Sequence, residues 1–210
     1  MTQNGSLIVL SGFAGVGKGT VLKIMMANHD GYAYSVSATT RAPRPGEKDG
    51  VDYFFKTKEE FERMIGNHEL AEYAQYVGNY YGTPLAYAEK MRAEGKDVIL
   101  EIDIQGAMQI RRNVPDAVLI FVMPPSAETL KERLIGRGTE TQEVVARRLS
   151  RAAMESEGIG NYDYIVVNDD AEICAEQLHQ LIASQRLRTA HNLSFIKQIQ
   201  TQMQSFRKGE

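Results

Sequence analysis

The segment from Gly12 to Thr20, GFAGVGKGT, constrains this chain more than any other part of its sequence. It follows a short apolar run, Leu7 to Leu10, that predicts a buried strand, and it precedes a helical pattern with an apolar face. Glycines in such a turn let backbone N–H groups face a polyphosphate, and the helix N-terminus adds partial positive charge. Lys18 supplies a full positive charge to the same group. We therefore predict a nucleotide-binding phosphate loop, the alternative being a plain strand–helix turn.

Later parts of the chain predict an α/β fold around this loop. Further buried strands are predicted at Val98 to Ile104, Val118 to Met123 and Tyr164 to Val167. Helical patterns separate them, at Ala107 to Arg112, Ala127 to Leu134, Thr141 to Glu157 and Ala171 to Ile182. Strands that alternate with helices favour a parallel sheet covered on both faces.

Two stretches break this alternation and predict inserted parts. Residues 37–87 are rich in Tyr, Thr, Arg and Gly, which favours a small mixed α/β lobe with its own sheet. Residues 136–160 are polar and carry several arginines, which favours a mobile helical lid. The core would then comprise residues 1–36, 88–135 and 161–190.

Residues 191–210 predict a helical tail, with a break near His191 and Asn192. An apolar stripe at helical spacing runs along it, formed by Leu193, Ile196, Ile199, Met203 and Phe206. Two interpretations are open: the helix packs on its own core, or it forms a subunit contact, most simply in a two-fold homodimer.

Composition excludes several function classes. A net charge of −3 argues against a whole-protein electrostatic grip on nucleic acid or an anionic membrane. No apolar run has the length of a membrane span, no secretory signal is evident, and the four histidines lack metal-ligand spacing. The single cysteine, Cys174, excludes an intrachain disulfide and sits at helical spacing with Leu178 and Leu181, as a core residue would. We expect a cytoplasmic protein that binds neither nucleic acid nor membrane.

Arg41 and Arg44 lie three residues apart and close to Tyr53. Arginine suits bidentate recognition of phosphate, so the pair could hold a monophosphate dianion. A solvated basic turn explains the same residues, and the local sequence leaves both interpretations open.

Several segments together resemble the guanylate kinase family. They are the phosphate loop, SVSATTRAPRPGE, LAEYAQYVGNYYGT, EIDIQGA, PPS, GRGTET and VNDD, and they occur in the family's order between residues 5 and 170. The resemblance implies a P-loop nucleoside monophosphate kinase fold, with a parallel-sheet core, an inserted acceptor-binding lobe and a helical lid. It also implies phosphorylation of GMP, and of dGMP, by ATP with Mg²⁺ as cofactor.

The resemblance further implies a set of site residues. For ATP they are Gly12, Phe13, Ala14, Gly15, Val16, Gly17, Lys18, Gly19, Thr20 and Asn168. For the GMP phosphate they are Arg41, Arg44, Tyr53 and Tyr81, and for the guanine base Ser37, Glu72 and Thr83. Glu47, Glu101 and Asp103 complete the acceptor set, with Asp103 at the end of a core strand near Mg²⁺. The groups implied to act on the transferring phosphoryl group are Lys18, Arg137 and Arg148.

The chain departs from the family pattern at three places. Gly19 follows Lys18 where a serine or threonine hydroxyl usually binds Mg²⁺, so the metal would be held through water and phosphates, with Thr20 as the next hydroxyl. Phe13 and Ala14 stand where Pro–Ser is common, and Glu101 stands where some relatives have Asp.

Two competing functions remain at this level. A non-catalytic interaction module of the same fold characteristically lacks an intact phosphate loop, whereas Lys18 and the loop glycines are present here. A kinase for another small phosphate acceptor, such as a ribose bisphosphate, would lack a guanine-reading carboxylate, whereas Glu72 precedes GNYYGT here.

Overall fold

The computed structural model describes residues 4–76, 78–136 and 141–207, and nine strands and eight α-helices lie within these ranges. The strands are β1 (Leu7–Gly12), β2 (Tyr32–Tyr34), β3 (Ala38–Thr39), β4 (Phe54–Phe55), β5 (Leu70–Tyr76), β6 (Asn79–Pro84), β7 (Asp97–Glu101), β8 (Val118–Met123) and β9 (Tyr164–Val167). The helices are α1 (Lys18–Asn28), α2 (Lys58–Gly66), α3 (Leu85–Ala93), α4 (Ile104–Asn113), α5 (Ala127–Gly136), α6 (Gln142–Ser156), α7 (Ala171–Ser184) and α8 (Leu193–Arg207).

The core is a five-stranded parallel sheet in the order β2-β7-β1-β8-β9, which confirms the predicted α/β class. Side chains of the central strand alternate between the two faces of the sheet. Ile8 and Leu10 pack in one buried cluster with α1 and α7, whereas Leu7 and Val9 pack in another with α3 and α4. Helices therefore cover both faces, as a parallel sheet requires.

The strand predicted from Val98 to Ile104 is too long. Strand β7 ends at Glu101, and α4 begins at Ile104, three residues before its predicted start. Asp103 is the N-cap of this helix, because its Oδ1 accepts a hydrogen bond from the Gly106 N–H at 3.0 Å. It therefore does not end a core strand, and Ile102 and Ile104 are apolar because they pack beside a helix start.

A second sheet, in the order β4-β3-β6-β5, is built entirely from residues between Ala38 and Pro84. Its small core centres on Phe61 of α2, which is fully buried and stacks on the Tyr80 ring at 5.2 Å. Helix α2 starts with a capping box between Thr57 and Glu60. This lobe therefore has its own hydrophobic cluster, separate from those of the parallel sheet.

Helix α4 joins the two sheets through side-chain amides. Gln109 donates to the backbone carbonyl of Tyr73 at 2.9 Å and accepts from its N–H at 3.1 Å. Asn113 donates to the carbonyl of Ala71 at 2.9 Å. The outer edge of β5 is thus bonded to the core helix α4, which ties the lobe to the core.

The tail helix α8 lies outside both cores. None of its residues is buried, and the stripe residues Leu193, Met203 and Phe206 are 62%, 58% and 75% exposed. The predicted apolar stripe therefore does not pack on the chain's own core. Two short 3-10 helices, Gln185–Leu187 and Thr189–Asn192, form the predicted break before it.

A buried carboxylate ties the start of the tail to the amino end of the core sheet. Asp97 has a side chain only 3% exposed, and it accepts from the Ser6 N–H at 2.7 Å and from Arg186 at 3.0 Å. We expect Asp97→Ala to lower the free energy of unfolding by about 2–4 kcal/mol, because it leaves a buried N–H without a partner.

Asp116→Ala is the matched control for this prediction. Its carboxylate pairs with Arg92 at 2.7 Å but is largely exposed, so we expect a loss below about 1 kcal/mol. Equal losses for the two variants in urea denaturation would contradict the anchoring role of Asp97.

No helix in the described ranges combines the length and the hydropathy that crossing a membrane requires.

Candidate functional site

The loop between β1 and α1 turns at two glycines with left-handed backbone angles. Gly15 has a φ of 87° and Gly17 a φ of 95°. A Cβ on Gly15 would lie 2.7 Å from Leu134 Cδ2, and one on Gly17 would lie 2.5 Å from Asn168 Nδ2. Conformation and space therefore both require glycine at these two positions.

Lys18 is the first residue of α1, and its side chain extends back over the phosphate loop. Its Nζ donates to the carbonyls of Gly12 at 2.8 Å and Phe13 at 3.3 Å. A cavity of about 380 Å³ opens beside it, lined by Gly15, Gly17, Lys18, Gly19, Thr20, Lys23 and Glu101. Two lysines and the N-terminus of α1 make this cavity suited to phosphate groups.

Buried side chains hold the loop from behind. Phe13 packs edge-on against Phe121 at 5.1 Å, and Val16 is fully buried. Both can therefore offer only backbone atoms to a nucleotide, while Ala14 and Gly19 are exposed. Asn168 is buried and donates from its side chain to the Val16 carbonyl at 2.8 Å, so it supports the loop. Its contact with adenine stays a prediction.

Arg41 is held as a fixed cation in the acceptor lobe. Its guanidinium donates to both Glu47 carboxylate oxygens, at 2.8 and 2.9 Å, and to the Ala42 carbonyl at 2.7 Å. It also lies over the Tyr53 ring, 5.4 Å from the centroid, and Tyr53 packs edge-on against Tyr81 at 6.2 Å. The hydrogen bonds to Glu47 raise the pKa of Arg41. Three of the predicted phosphate-binding side chains are thus neighbours.

Glu47 organises this turn instead of offering a phosphate ligand. Its Oε2 also accepts from the Arg44 backbone N–H at 2.7 Å, and its bonds to Arg41 and Arg44 hold the pKa of the carboxyl below its usual value. A carboxylate would repel a phosphate, whereas one that binds Arg41 orients it. The Arg44 side chain is exposed at the same turn.

The pairing of β5 with β6 brings Glu72 and Thr83 together in the interior. Glu72 is only 7% exposed, and its Oε1 accepts from the Thr83 hydroxyl at 2.8 Å. Burial raises the pKa of Glu72 to about 7, although the Thr83 hydrogen bond opposes the shift and the charge of Asp103 adds to it. A Cβ on Gly106 would lie 3.0 Å from Glu72 Oε2, so a glycine lets α4 approach the carboxylate. Ser37 is half-buried, directly before β3.

Two acidic residues, Glu101 and Asp103, follow the apolar part of β7 and lie at different parts of the site. Glu101 pairs in register with Leu10 and lines the phosphate-loop cavity. Asp103 lies near enough to Glu72 to raise its pKa, and its Oδ2 accepts from Arg151 of α6 at 3.2 Å.

Helix α6, in the segment predicted to form a lid, contributes an arginine that the sequence did not single out. Arg151 contacts Asp103 and also pairs with Glu155 at 2.7 Å. The i,i+4 spacing of Arg151 and Glu155 is visible in the sequence, but the contact with Asp103 is not. Arg148 lies half-buried on the same helix, and Arg137 falls outside the described residues.

The cavity at the phosphate loop offers hard oxygen donors. Among the residues that the structure describes, no cluster of three His, Cys, Asp or Glu side chains could hold a metal ion. Mg²⁺ in kinases keeps several waters and uses one or two carboxylates together with substrate phosphates. The hydroxyl of Thr20 and the carboxylate of Glu101 line the cavity, and both fit a Mg²⁺ ion that arrives with the nucleotide.

The chain has a parallel-sheet core with a phosphate loop, and a helical segment after α5. It also has an inserted lobe that holds a fixed arginine and a buried carboxylate. These features together define the class of P-loop nucleoside monophosphate kinases. The family model described as guanylate kinase matches residues 4–185, so the chain belongs to the guanylate kinase family.

Individual relatives agree with this family. The chain is 52% identical over 188 residues to the guanylate kinase of Lactococcus lactis subsp. lactis, covering 90% of this chain and 92% of that protein. It is 49% identical over 199 residues to the guanylate kinase of Bacillus cereus, covering 94% and 97%. The crystal structure of guanylate kinase from Anaplasma phagocytophilum matches with a TM-score of 0.70 and 35% identity, covering 93% and 94%.

Proposed function

We propose that this chain transfers the γ-phosphoryl group of ATP to GMP, and to dGMP, in the cytoplasm. The observation that carries the proposal is the buried Glu72 carboxylate, in the same lobe as the fixed cation Arg41. Guanine presents two adjacent donors, N1–H and the N2 amino group, and a carboxylate can accept from both. Arg41 would then bind the phosphate, so the lobe would contact both the base and the phosphate of GMP.

The proposed mechanism relies on positioning and charge, because phosphoryl transfer asks for little covalent chemistry from the protein. Lys18 would move its ammonium from the Gly12 carbonyl to the β- and γ-phosphates. Arg41 and Arg44 would offset the charge of the GMP phosphate, which is ionised near neutral pH and needs no general base. Bound Mg²⁺, held by Thr20, Glu101 and the phosphates, would supply further positive charge.

The lid would complete the positive environment. Arg148 and Arg137 would spread charge over the transferring phosphoryl group, and closure would exclude water and so limit ATP hydrolysis. Arg151 already reaches Asp103, the N-cap of the core helix α4, whose charge also acts on Glu72.

A coupled assay of ATP turnover with GMP, dGMP, AMP, CMP and UMP tests the proposal. We expect turnover with GMP and dGMP, and a kcat/KM for AMP lower by roughly 10⁴-fold, because adenine would leave the Glu72 carboxylate unpaired. Comparable turnover with AMP would contradict it. No turnover with any of them would favour the non-catalytic module or a kinase for a sugar phosphate.

We also propose that α8 forms a two-fold contact between two copies of the chain. Its apolar stripe is exposed, and no acidic residue occurs between Leu193 and Arg207. Of the stripe residues, Leu193, Met203 and Phe206 are 62%, 58% and 75% exposed, so the face that they form is available to a second copy.

We expect Ile199→Glu to convert a dimer into a monomer, because it places a charge in the middle of the proposed contact. Thr201→Glu is the matched control, since it puts the same charge on the opposite face of the helix. Sedimentation should give twice the chain mass for the unmodified protein and for Thr201→Glu. A monomeric unmodified protein, or a dimeric Ile199→Glu variant, would refute the contact.

A further inference from the structure

Tyr34 is the last residue of β2, where the chain leaves the core sheet for the acceptor lobe. Its hydroxyl donates to Glu101 Oε2 at 3.3 Å. The parallel register places Tyr34 opposite Ile99, so its side chain lies near the end of the neighbouring strand β7. Two strand ends thus bring a phenol and a carboxylate together beside the phosphate loop.

The same tyrosine contacts the acceptor lobe on its other side. The Tyr87 hydroxyl donates to the Tyr34 backbone carbonyl at 3.4 Å, and the Tyr87 ring packs edge-on against Phe54 of the lobe at 6.1 Å. A phenol hydroxyl carries one proton that it can donate, so the Tyr34 hydroxyl donates to the Glu101 carboxylate.

Glu101 needs such a partner, because it is a flexible side chain at a cationic cavity. It lines the cavity together with two positively charged side chains, Lys18 and Lys23. A hydrogen bond to Oε2 restricts the carboxylate to one orientation, and its Oε1 has no hydrogen-bond partner among the described residues.

We propose that Tyr34 is a positioning residue for phosphoryl transfer, whose hydroxyl holds Glu101 at the rim of the phosphate loop and links that carboxylate to the acceptor lobe. This rests on the proposed function, in which Glu101 serves the bound phosphates and Mg²⁺. The effect should fall on kcat, since neither Glu72 nor Arg41 has a hydrogen bond to Tyr34.

Tyr34→Phe tests this, because it keeps the ring and removes only the hydroxyl. We expect kcat with GMP to fall by about 5–10-fold, as for the loss of one long hydrogen bond to a charged group, while KM for GMP changes by less than about twofold. Tyr32→Phe is the matched control: it lies on the same strand, but its hydroxyl contacts His179 at 2.7 Å. Its kcat should stay within about twofold of the unmodified enzyme.

A double-mutant cycle with Glu101→Gln separates positioning from a general structural role. If Tyr34 acts through Glu101, adding Tyr34→Phe to Glu101→Gln should lower kcat by less than about twofold further. A full additional loss in that background, or an unchanged kcat in Tyr34→Phe alone, would overturn the inference. Failure of the unmodified protein to phosphorylate GMP would instead overturn the proposed function, and this inference with it.

Discussion

Lys18→Met is expected to lower kcat for GMP phosphorylation by at least ~100-fold, the scale of deleting one preorganised charge contact. Methionine keeps an unbranched side chain of similar length and removes the charge. The Lys18 ammonium lies at the phosphate-loop cavity, 2.8 Å from the Gly12 carbonyl, from where it can reach a bound phosphate. Its contribution should grow in the transition state, so kcat should fall more than KM rises.

Lys23→Met is the control for this variant, since Lys23 lines the same cavity but is exposed. We expect a loss below about fivefold, because an exposed charge is screened by solvent. Steady-state kinetics of the two variants side by side decide the matter. Near-normal kcat in Lys18→Met, or equal losses in both variants, would contradict the role assigned to Lys18.

Glu72→Gln is expected to lower kcat/KM for GMP by ~100-fold or more. The amide keeps one acceptor oxygen but turns the other position into a donor, which would face a guanine donor in a buried site. AMP should lose far less, because its phosphate would still meet Arg41 and its base gains nothing from the carboxylate. Glu69→Gln, an exposed change directly before β5, should leave both substrates unaffected.

The pH dependence of the reaction gives the same prediction an independent readout. Guanine needs the ionised carboxylate, and burial raises the pKa of Glu72 from 4.5 to about 7. We therefore expect kcat/KM for GMP to rise about tenfold from about pH 6 to about pH 7 and to level off above it. Glu72→Gln should lack this limb and keep only a fall below about pH 6, where the phosphate of GMP itself takes up a proton. A variant that keeps both the limb and the preference for GMP over AMP would show that Glu72 does not read guanine.

The raised pKa of Glu72 also makes the free energy of unfolding depend on pH, in the opposite direction to kcat/KM. Between pH 4.5 and about 7, the folded chain holds a proton on Glu72 that the unfolded chain has released. The contribution of Glu72 to stability is therefore largest at low pH and declines as pH rises through this window. Guanine binding therefore needs the ionised form of Glu72, which burial in the folded chain disfavours.

Strands with continuous apolar runs were predictable from the sequence alone. The predicted bounds Val118–Met123 and Tyr164–Val167 are those of β8 and β9. The prediction for β7 was too long because Ile102 and Ile104 continue its apolar run into a helix start. The sequence does not predict strand β2, because it has only three residues and is defined by its pairing with β7.

The phosphate loop was predictable because all its parts are adjacent in sequence. Contacts between distant residues were not, since they depend on strand register and helix packing. Arg151 and Asp103 are 48 positions apart, Tyr34 and Glu101 67, and Asn168 and Val16 152. No local pattern marks these partners, although each of them supports the site.

The most direct test follows the γ-phosphoryl group itself. ATP radiolabelled at the γ-position is incubated with GMP, Mg²⁺ and the purified chain, and the products are separated by chromatography. We expect the label in the β-phosphate of GDP, in one-to-one proportion to the ADP formed, with little free phosphate. Label that appears as inorganic phosphate, without labelled GDP, would contradict transfer between the phosphate loop and the acceptor lobe.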